Sequence, residues 1–294
     1  MNQKYIGFLF TIAIVAVSFS AIFVKWSDAP ATVSSMYRMY MACVLLLPFV
    51  WRKRAGFRKI TGKEWGFLAL AGFCLALHFA LWFGSLKLTT VASSTIILAL
   101  QPIVALVGGF LFYKERTSLS VLLTIGISII GVMLVGWGDF GHSSKAAFLG
   151  DLLSFLGVLA VVGYLLIGQN KVKQISHWLY TFSVFLFAGL FLNLFNLVSD
   201  IQVTDYPAKE WGVFLLLAVF PSLSHVIFNF LLSYVNTTTI SMSILGEPVG
   251  ATILAALLLH EQLRPLQLIG GLIVLFGVFL FLVQQKSVIR NEEF

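Results

Sequence analysis

The chain has 294 residues, of which 59% are hydrophobic and 11% are charged, and its formal net charge is +7. Soluble domains carry about one quarter charged residues, so this composition excludes an ordinary water-soluble fold. The positive charge does not indicate a nucleic-acid surface, because the basic residues lie between apolar runs and not along one polar face.

Apolar runs of about twenty residues recur along the chain, the length at which a helix crosses about 30 Å of hydrocarbon. They predict an all-α polytopic membrane protein of ten transmembrane helices. The predicted spans are Tyr5 to Val24, Ala31 to Trp51, Trp65 to Leu86, Val91 to Phe112, Ser118 to Trp137, Ala147 to Gly168, Trp178 to Val198, Gly212 to Ser233, Thr238 to Leu259 and Pro265 to Val283. We interpret the first span as a retained helix, since it is too long for a signal-peptide core.

The basic residues predict the orientation of these spans. With the N-terminus inside, the inner segments hold Lys4, Arg52, Lys53, Arg54, Arg58, Lys59, Lys63, Lys114, Arg116, Lys171, Lys173, Lys286 and Arg290. The outer segments hold only Lys25, Lys87, Lys145, Lys209 and Arg264. By the positive-inside rule, both termini are predicted to be cytoplasmic.

An internal repeat appears when the sequence is shifted by 146 positions, which aligns Pro102 with Pro248, Glu115 with Glu261 and Gly131 with Gly277. We assign the first repeat to residues 1–140 and the second to residues 141–294. Because each repeat contains five spans, the second copy enters the membrane from the opposite side. Inverted repeats of this kind are common in secondary transporters, although duplication can also enlarge a passive scaffold.

Motifs in both halves resemble the EamA family of the drug/metabolite transporter superfamily. The first copy carries Ser94-Thr95-Ile96, Gln101-Pro102 and Lys114-Glu115-Arg116; the second carries Gly246-Glu247-Pro248 and His260-Glu261-Gln262. The resemblance runs from Gly7 to Val283 and implies a carrier with a central cavity between two halves, usually an exporter of amino acids or other small metabolites.

Glu247 is predicted to lie near the middle of the ninth span, where a carboxylate costs about 2.5–3.5 kcal/mol on insertion scales. Desolvation favours its neutral form, which makes it a candidate proton carrier. Its repeat counterpart, Gln101, is similar in length but cannot titrate. The alternative is structural, with Glu247 compensating the backbone group that Pro248 leaves without a partner.

Pro102 and Pro248 occupy corresponding positions and are each predicted to kink a helix. Such kinks either line a cavity or serve packing. In the third span, His78 and Trp82 share a helix face, as His225 and Asn229 do in the eighth span. Polar groups at this depth usually face the bundle interior, so these pairs are either substrate contacts or packing residues.

Arg38 is predicted to lie about 10 Å along the second span from its outer end. It could bind a substrate carboxylate or phosphate through two parallel hydrogen bonds, or reach the outer headgroups, as long basic side chains often do. Thr95, Ser241 and Tyr164 are further candidates for hydrogen bonds to a substrate, although hydroxyl groups in helices often bond to their own backbone.

Other repeated residues are predicted to be structural. Glu115 and Glu261 each precede a fifth helix of the repeat and are interpreted as turn or cap residues. Close helix approach is the role expected of the glycines in the fifth and tenth spans, namely Gly126, Gly131, Gly270, Gly271 and Gly277. Cys43 and Cys74 lie inside spans and offer neither a disulfide framework nor a metal spacing.

The sequence favours a secondary transporter working by alternating access, driven by proton exchange or by the substrate gradient alone. An intramembrane enzyme acting on a lipid-linked substrate ranks lower, because no metal-spaced or nucleophile motif is visible. A channel also ranks lower, since no charged ring or carbonyl filter is visible. Nucleotide sugars would require more cations at membrane depth than Arg38 alone.

The resemblance to the EamA family, together with an interior expected to be mostly apolar and aromatic, favours export of amino acids or related amphipathic compounds. We expect a multi-pass protein of a bacterial plasma membrane, in contact with lipids and a small-molecule substrate. It is expected to be a monomer or homodimer with no catalytic residue, cofactor, metal or nucleic-acid partner.

Overall fold

The computed structural model describes residues 3–89, 94, 97–136, 145–258 and 265–291, and these residues form an all-helical fold. The helices are α1 (Gln3–Trp26), α2 (Ala31–Lys53), α3 (Gly62–Leu88), α4 (Gln101–Tyr113), α5 (Leu119–Gly136), α6 (Lys145–Lys171), α7 (His177–Val198), α8 (Ala208–Leu231), α9 (Thr237–Ile244), α10 (Glu247–Leu258) and α11 (Pro265–Asn291). A short 3-10 helix, Arg54–Lys59, follows α2.

Within the described ranges, seven helical segments are long and apolar enough to cross a membrane. They begin at Lys4, Ala31, Gly62, Lys145, His177, Ala208 and Thr237, and so fall in seven of the ten predicted spans. Shorter apolar helices at Gln101–Tyr113, Leu119–Leu134 and Leu268–Phe281 lie in the other three. The helical membrane fold agrees with the sequence, while the count of ten spans stays a prediction.

The helices pack antiparallel and define two ends of the bundle. Gly150 of α6 lies against Thr89 at the end of α3, and farther along α6 Gly157 lies against His78. Lys87, near the end of α3, bonds to Ser27 in the α1–α2 connection. This connection therefore lies at one end of the bundle, which we call the Asp28 end. Gln169, near the other end of α6, bonds to Glu115 in the α4–α5 connection. The α4–α5 connection therefore lies at the opposite end, which we call the Glu115 end.

The ninth predicted span is broken. The segment Thr237–Leu258 is long and apolar enough to cross a membrane, as predicted, but Leu245 and Gly246 form a turn between α9 and α10. Pro248 is the second residue of the new helix, where its missing N–H needs no partner. The chain thus restarts its helix instead of kinking through it.

The fourth predicted span shows the corresponding feature. Ala99 and Leu100 form a turn immediately before α4, and Pro102 lies in the first turn of that helix. The two turns are separated by the same 146 positions that relate the prolines. Polar side chains, Gln101 and Glu247, therefore occupy the first position of two half-helices.

The α5–α11 contact depends on absent side chains. A Cβ atom built on Gly131 would lie 2.7 Å from the backbone nitrogen of Val274 and 2.8 Å from the carbonyl oxygen of Gly270. One on Gly277 would lie 3.1 Å from the carbonyl oxygen of Thr124. These two glycines allow the backbones to approach closely, in agreement with the role predicted for them. For Gly126 the prediction is wrong, because a Cβ atom there would have no described neighbour within 4 Å.

Candidate functional site

Arg38 of α2 is fully buried in the helix bundle, so it does not reach the headgroups. Its Nε atom donates a hydrogen bond to Ser222 Oγ at 3.2 Å, and its guanidinium carbon lies 4.1 Å from the centre of the Phe79 ring. These contacts fix the guanidinium plane. Its Nη1 atom has no hydrogen-bond partner among the described residues.

His225 of α8 lies beside this guanidinium. Its Nδ1 atom is 3.0 Å from the carbonyl oxygen of Pro221 and 3.4 Å from Arg38 Nη2. One Nδ1 atom cannot donate to a carbonyl and accept from a guanidinium at the same time. We assign the hydrogen bond to the shorter contact, in which Nδ1–H donates to Pro221.

Glu247 is also buried, and its Oε1 atom lacks a hydrogen-bond partner within the part of the chain that the structure describes. Its carboxylate interacts electrostatically with Arg38. No salt bridge within 4 Å joins these two described residues. Arg38 and Glu247 are thus two buried ionisable groups that are not paired directly with each other.

Helix α1 connects the surroundings of these two groups. Ser18 Oγ lies 3.5 Å from the carbonyl oxygen of Glu247, and five residues earlier Ala13 accepts a hydrogen bond from Ser224 Oγ. Ser224 is adjacent to His225, beside Arg38. Five residues of helix rise about 7–8 Å, so Glu247 and the Arg38 cluster lie on neighbouring turns of the same scaffold.

Aromatic rings lie beside Arg38 and the two histidines. Phe79 lies between the two histidines, with its ring centre 5.1 Å from that of His78 and 5.3 Å from that of His225. The rings of His78 and Trp82 stack at 5.8 Å. His78 Nδ1 bonds the carbonyl oxygen of Gly157 at 2.9 Å, which orients the ring.

A second polar chain crosses three helices. The hydroxyl of Tyr164 on α6 donates to Asn229 Oδ1 on α8, and Asn229 Nδ2 donates to Thr181 Oγ1 on α7 at 3.1 Å. Gln101 is paired elsewhere: its Nε2 atom donates to Ser241 Oγ at 3.2 Å, joining the starts of α4 and α9. Thr95 lies outside the described residues.

At the Asp28 end, side chains of two helices, α3 and α8, bond to the α1–α2 connection, and we call this group the Glu210 latch. The Glu210 carboxylate at the start of α8 accepts from Ser27 Oγ at 2.6 Å and from the backbone N–H of Asp28 at 2.9 Å. Lys87 at the end of α3 donates to the carbonyl oxygen of Ser27 at 2.5 Å. Lys209 pairs with Asp28 and lowers the pKa of that carboxyl.

The Glu115 end is closed by a separate network. Glu115 accepts hydrogen bonds from Gln169 Nε2 at 2.6 Å and from Asn236 Nδ2 at 3.1 Å. Gln169 in turn accepts from the backbone N–H of Thr237 at 2.6 Å. Glu115 lies in the turn between α4 and α5, as predicted, but the capping role is wrong, because its carboxylate is directed towards α6 and the α8–α9 connection.

The comparison with protein families decides what kind of bundle this is. A sequence profile described as the EamA-like transporter family matches residues 4–137 and again residues 148–283. The chain belongs to the EamA-like transporter family. The resemblance found in the sequence is thereby confirmed, and this EamA-like chain is a multi-pass membrane protein of a transporter family.

Curated relatives of the EamA-like chain carry transporter names. An uncharacterized transporter of Archaeoglobus fulgidus is 26% identical over 294 residues, covering 98% of this chain and 100% of that protein. The uncharacterized transporter YetK of Bacillus subtilis is 26% identical over 270 residues, with coverages of 88% and 80%. A solved crystal structure superposes with a TM-score of 0.80 at 12% identity over 98% of this chain and 99% of the other, which shows a shared fold.

The structure brings the predicted residues into separate groups. Arg38 and His225 meet directly, Glu247 acts on Arg38 electrostatically, Tyr164 meets Asn229, His78 meets Trp82 and Gln101 meets Ser241. Which of these residues bind a substrate stays a prediction.

Sequence reasoning missed several polar contacts. Ser222, Thr181 and Glu210 were not singled out, although each completes a buried bond across helices. No short motif marks Ser222 or Thr181, since a lone hydroxyl in a helix usually bonds its own backbone. For Glu210 a weak signal existed, because its repeat counterpart is also a glutamate in the first turn of a helix.

Proposed function

We propose that this protein is a secondary transporter that exports amino acids or related amphipathic metabolites across a bacterial plasma membrane by alternating access. The observation that carries the proposal is the interior of the bundle, where Arg38 Nη1 and Glu247 Oε1 are buried without a partner among the described residues. A buried polar atom without a partner costs about 1–3 kcal/mol. Such atoms in a transporter family are natural binding groups for a small solute.

The proposed inverted repeat of ten spans supports alternating access. The contacts between α5 and α11 are symmetric under the 146-residue shift. Gly131 contacts Gly270 and Val274, and its repeat counterpart Gly277 contacts the counterparts of those residues, Thr124 and Ser128. We propose two five-helix halves, residues 1–140 and 141–294, related by an axis in the membrane plane, with both termini cytoplasmic. Discontinuous helices at corresponding positions are typical of substrate sites in such transporters.

The closed ends fit the same cycle. The Glu210 latch seals the Asp28 end, and the contacts of Glu115 seal the other. Alternating access requires each seal to open while the other holds. With the proposed orientation, the Glu210 latch is the outer seal.

Glu247 is the proposed coupling residue, since a buried carboxylate can carry a proton between the two sides. Gln101 at the equivalent half-helix start cannot do so, which would leave one proton site per protein. A facilitator driven by the substrate gradient alone is the alternative, and in it Glu247 serves binding or structure only.

The test is uptake of a pooled panel of labelled amino acids and metabolites into proteoliposomes, with and without a pH gradient. Wild type is compared with Glu247→Gln, which keeps the shape and removes the titrating group. We expect saturable, gradient-stimulated uptake that becomes insensitive to the gradient in the variant. Gradient-insensitive uptake by both proteins would support the facilitator. Absence of any uptake would contradict transport and favour an intramembrane enzyme, to be tested by chemical conversion of a lipid-linked substrate.

A further inference from the structure

The geometry of Arg38 leaves one direction open for a ligand. Its Nε atom is used by Ser222, and its flat face lies on Phe79. The Nη1 atom has no partner among the residues described. Guanidinium nitrogens are donors only, so the group that completes this atom must be an acceptor, and a carboxylate is the strongest common choice.

Glu247 presents the complementary requirement. Its Oε1 atom is buried and, over the described part of the chain, unpaired. Burial alone favours the neutral form of this carboxyl. A ligand that stabilises the ionised form must donate, because an ionised carboxylate only accepts hydrogen bonds, and an ammonium group both donates and neutralises the charge.

The two groups do not complete each other. They interact through space, but no salt bridge within 4 Å joins these two described residues. Transferring both groups in charged form from water into the protein interior without partners costs free energy, since buried charges need partners. A ligand that carries one negative and one positive group can satisfy both ends at once.

The side chains around the Arg38 pole are largely aromatic. Phe79, Trp82 and Tyr164 are buried beside the histidines that flank Arg38. Among the described Asp, Glu, Lys and Arg residues, Glu210 is the one other buried side chain, and it is engaged in the Glu210 latch. The surroundings therefore suit an apolar side chain and offer no further charge for a third ionic group.

We propose that Arg38 and Glu247 are the two poles of a site for zwitterionic α-amino acids with apolar side chains. Arg38 Nη1 donates to the substrate carboxylate, and Glu247 Oε1 accepts from the substrate ammonium. This assignment rests on the proposed transport function and adds the orientation of the substrate and its selectivity. A compound with a single charge leaves one pole buried and unpaired, so it binds weakly.

Binding to the purified full chain in detergent micelles tests the site, with calorimetry as the readout. The probes are L-phenylalanine, 2-phenylethylamine, which lacks the carboxylate, and 3-phenylpropanoate, which lacks the amine; L-leucine and its two analogues form a second set. We expect each analogue to bind about thirty-fold or more weakly than its amino acid, the usual effect of removing one partner of a buried charge pair. Equal binding of an analogue, or binding of neither amino acid, overturns the site.

Two variants assign the poles. In Arg38→Gln the affinity for L-phenylalanine is expected to fall while that for 2-phenylethylamine is unchanged, because that amine never used Arg38. In Glu247→Gln the affinity for L-phenylalanine is expected to fall, while that for 3-phenylpropanoate is unchanged, because this carboxylate never used Glu247. A uniform loss for all three ligands in a folded variant contradicts the assigned poles. If a variant does not fold, the wild-type comparison decides alone.

The two proposals fail differently. Uptake of a singly charged metabolite together with no amino-acid binding would overturn the zwitterion site and leave the transporter standing. No uptake of any compound in the pooled panel would instead overturn the transport function itself.

Discussion

At the level of single residues, the interior is organised by hydrogen bonds between helices that are distant in sequence. Tyr164, Asn229 and Thr181 lie on three helices and form one chain. A buried acceptor that loses its donor is not compensated by water in such a place. Each member should therefore contribute to stability more than its own size suggests.

Tyr164→Phe tests this contribution. The change removes one hydroxyl and leaves Asn229 Oδ1 without its donor, so we expect the free energy of unfolding to fall by about 1 kcal/mol. Thermal unfolding in detergent micelles measures the effect. Tyr234→Phe is the matched control, because the Tyr234 side chain is 47% exposed, and an equal melting temperature for the two variants would contradict the prediction.

The sequence located most of these residues but not their partners. Periodicity placed His78, Trp82, His225 and Asn229 on inward faces, since polar groups at membrane depth rarely face lipid. It could not choose for Arg38 between substrate binding and the headgroups, because that depends on where α8 lies. The bond to Ser222 is a tertiary contact between residues 184 positions apart, which one sequence does not encode locally.

At the level of helices, the glycines of α5 and α11 set how closely two elements can approach. Gly131→Ala places a Cβ under 3 Å from backbone atoms of α11, and backbone cannot move aside as a flexible side chain can. Overpacking of this kind costs about 1–3 kcal/mol, which thermal unfolding would detect. Gly126→Ala is the control: a Cβ there has no described neighbour within 4 Å, so better helix propensity should stabilise the helix by up to about 1 kcal/mol. Similar destabilisation by both changes would contradict the packing account.

The Glu210 latch leads to a prediction about access. Glu210→Gln weakens charge-assisted bonds to the α1–α2 connection, so the Asp28 end should open more often. With Cys43 and Cys74 replaced by serine, a cysteine at position 222 reports this opening through its rate of labelling by an impermeant maleimide added outside. We expect labelling to be faster by about tenfold, the effect of about 1.4 kcal/mol.

Glu64→Gln is the matched control for that experiment. Glu64 is the repeat counterpart of Glu210, but its carboxylate accepts from the N–H and hydroxyl of Thr61, at the start of its own helix. It closes no contact between helices, so its loss should leave external labelling unchanged. Unchanged labelling in Glu210→Gln, or equal acceleration in Glu64→Gln, would show that the latch does not control access.

Helix existence followed from hydropathy, whereas helix breaks did not. An apolar run from Thr238 to Leu259 has the length of a span, yet the chain turns at Leu245 and Gly246. Proline predicts a disturbance, but whether a helix kinks or restarts depends on neighbouring elements that can accept the freed backbone groups. Here Gly246 lies against Ile14 of α1, a contact that the local sequence does not reveal.

At the level of the whole molecule, separate polar networks join the helices at the two ends of the membrane bundle, and two ionisable groups, Arg38 and Glu247, are buried inside it. Composition alone predicted the membrane fold, because so few charged residues cannot cover a soluble surface. The repeat and its motifs predicted the family. Transport by alternating access remains the central claim, and it distinguishes a carrier from a channel or an enzyme.

Counterflow tests that claim most directly. Proteoliposomes are loaded with an unlabelled excess of the panel compound that gives the largest uptake, and a trace of the labelled compound is added outside without any ion gradient. A carrier exchanges inner for outer substrate through one site, so the account predicts that label transiently accumulates inside above its equilibrium level. Monotonic equilibration without an overshoot would indicate a pore and contradict alternating access.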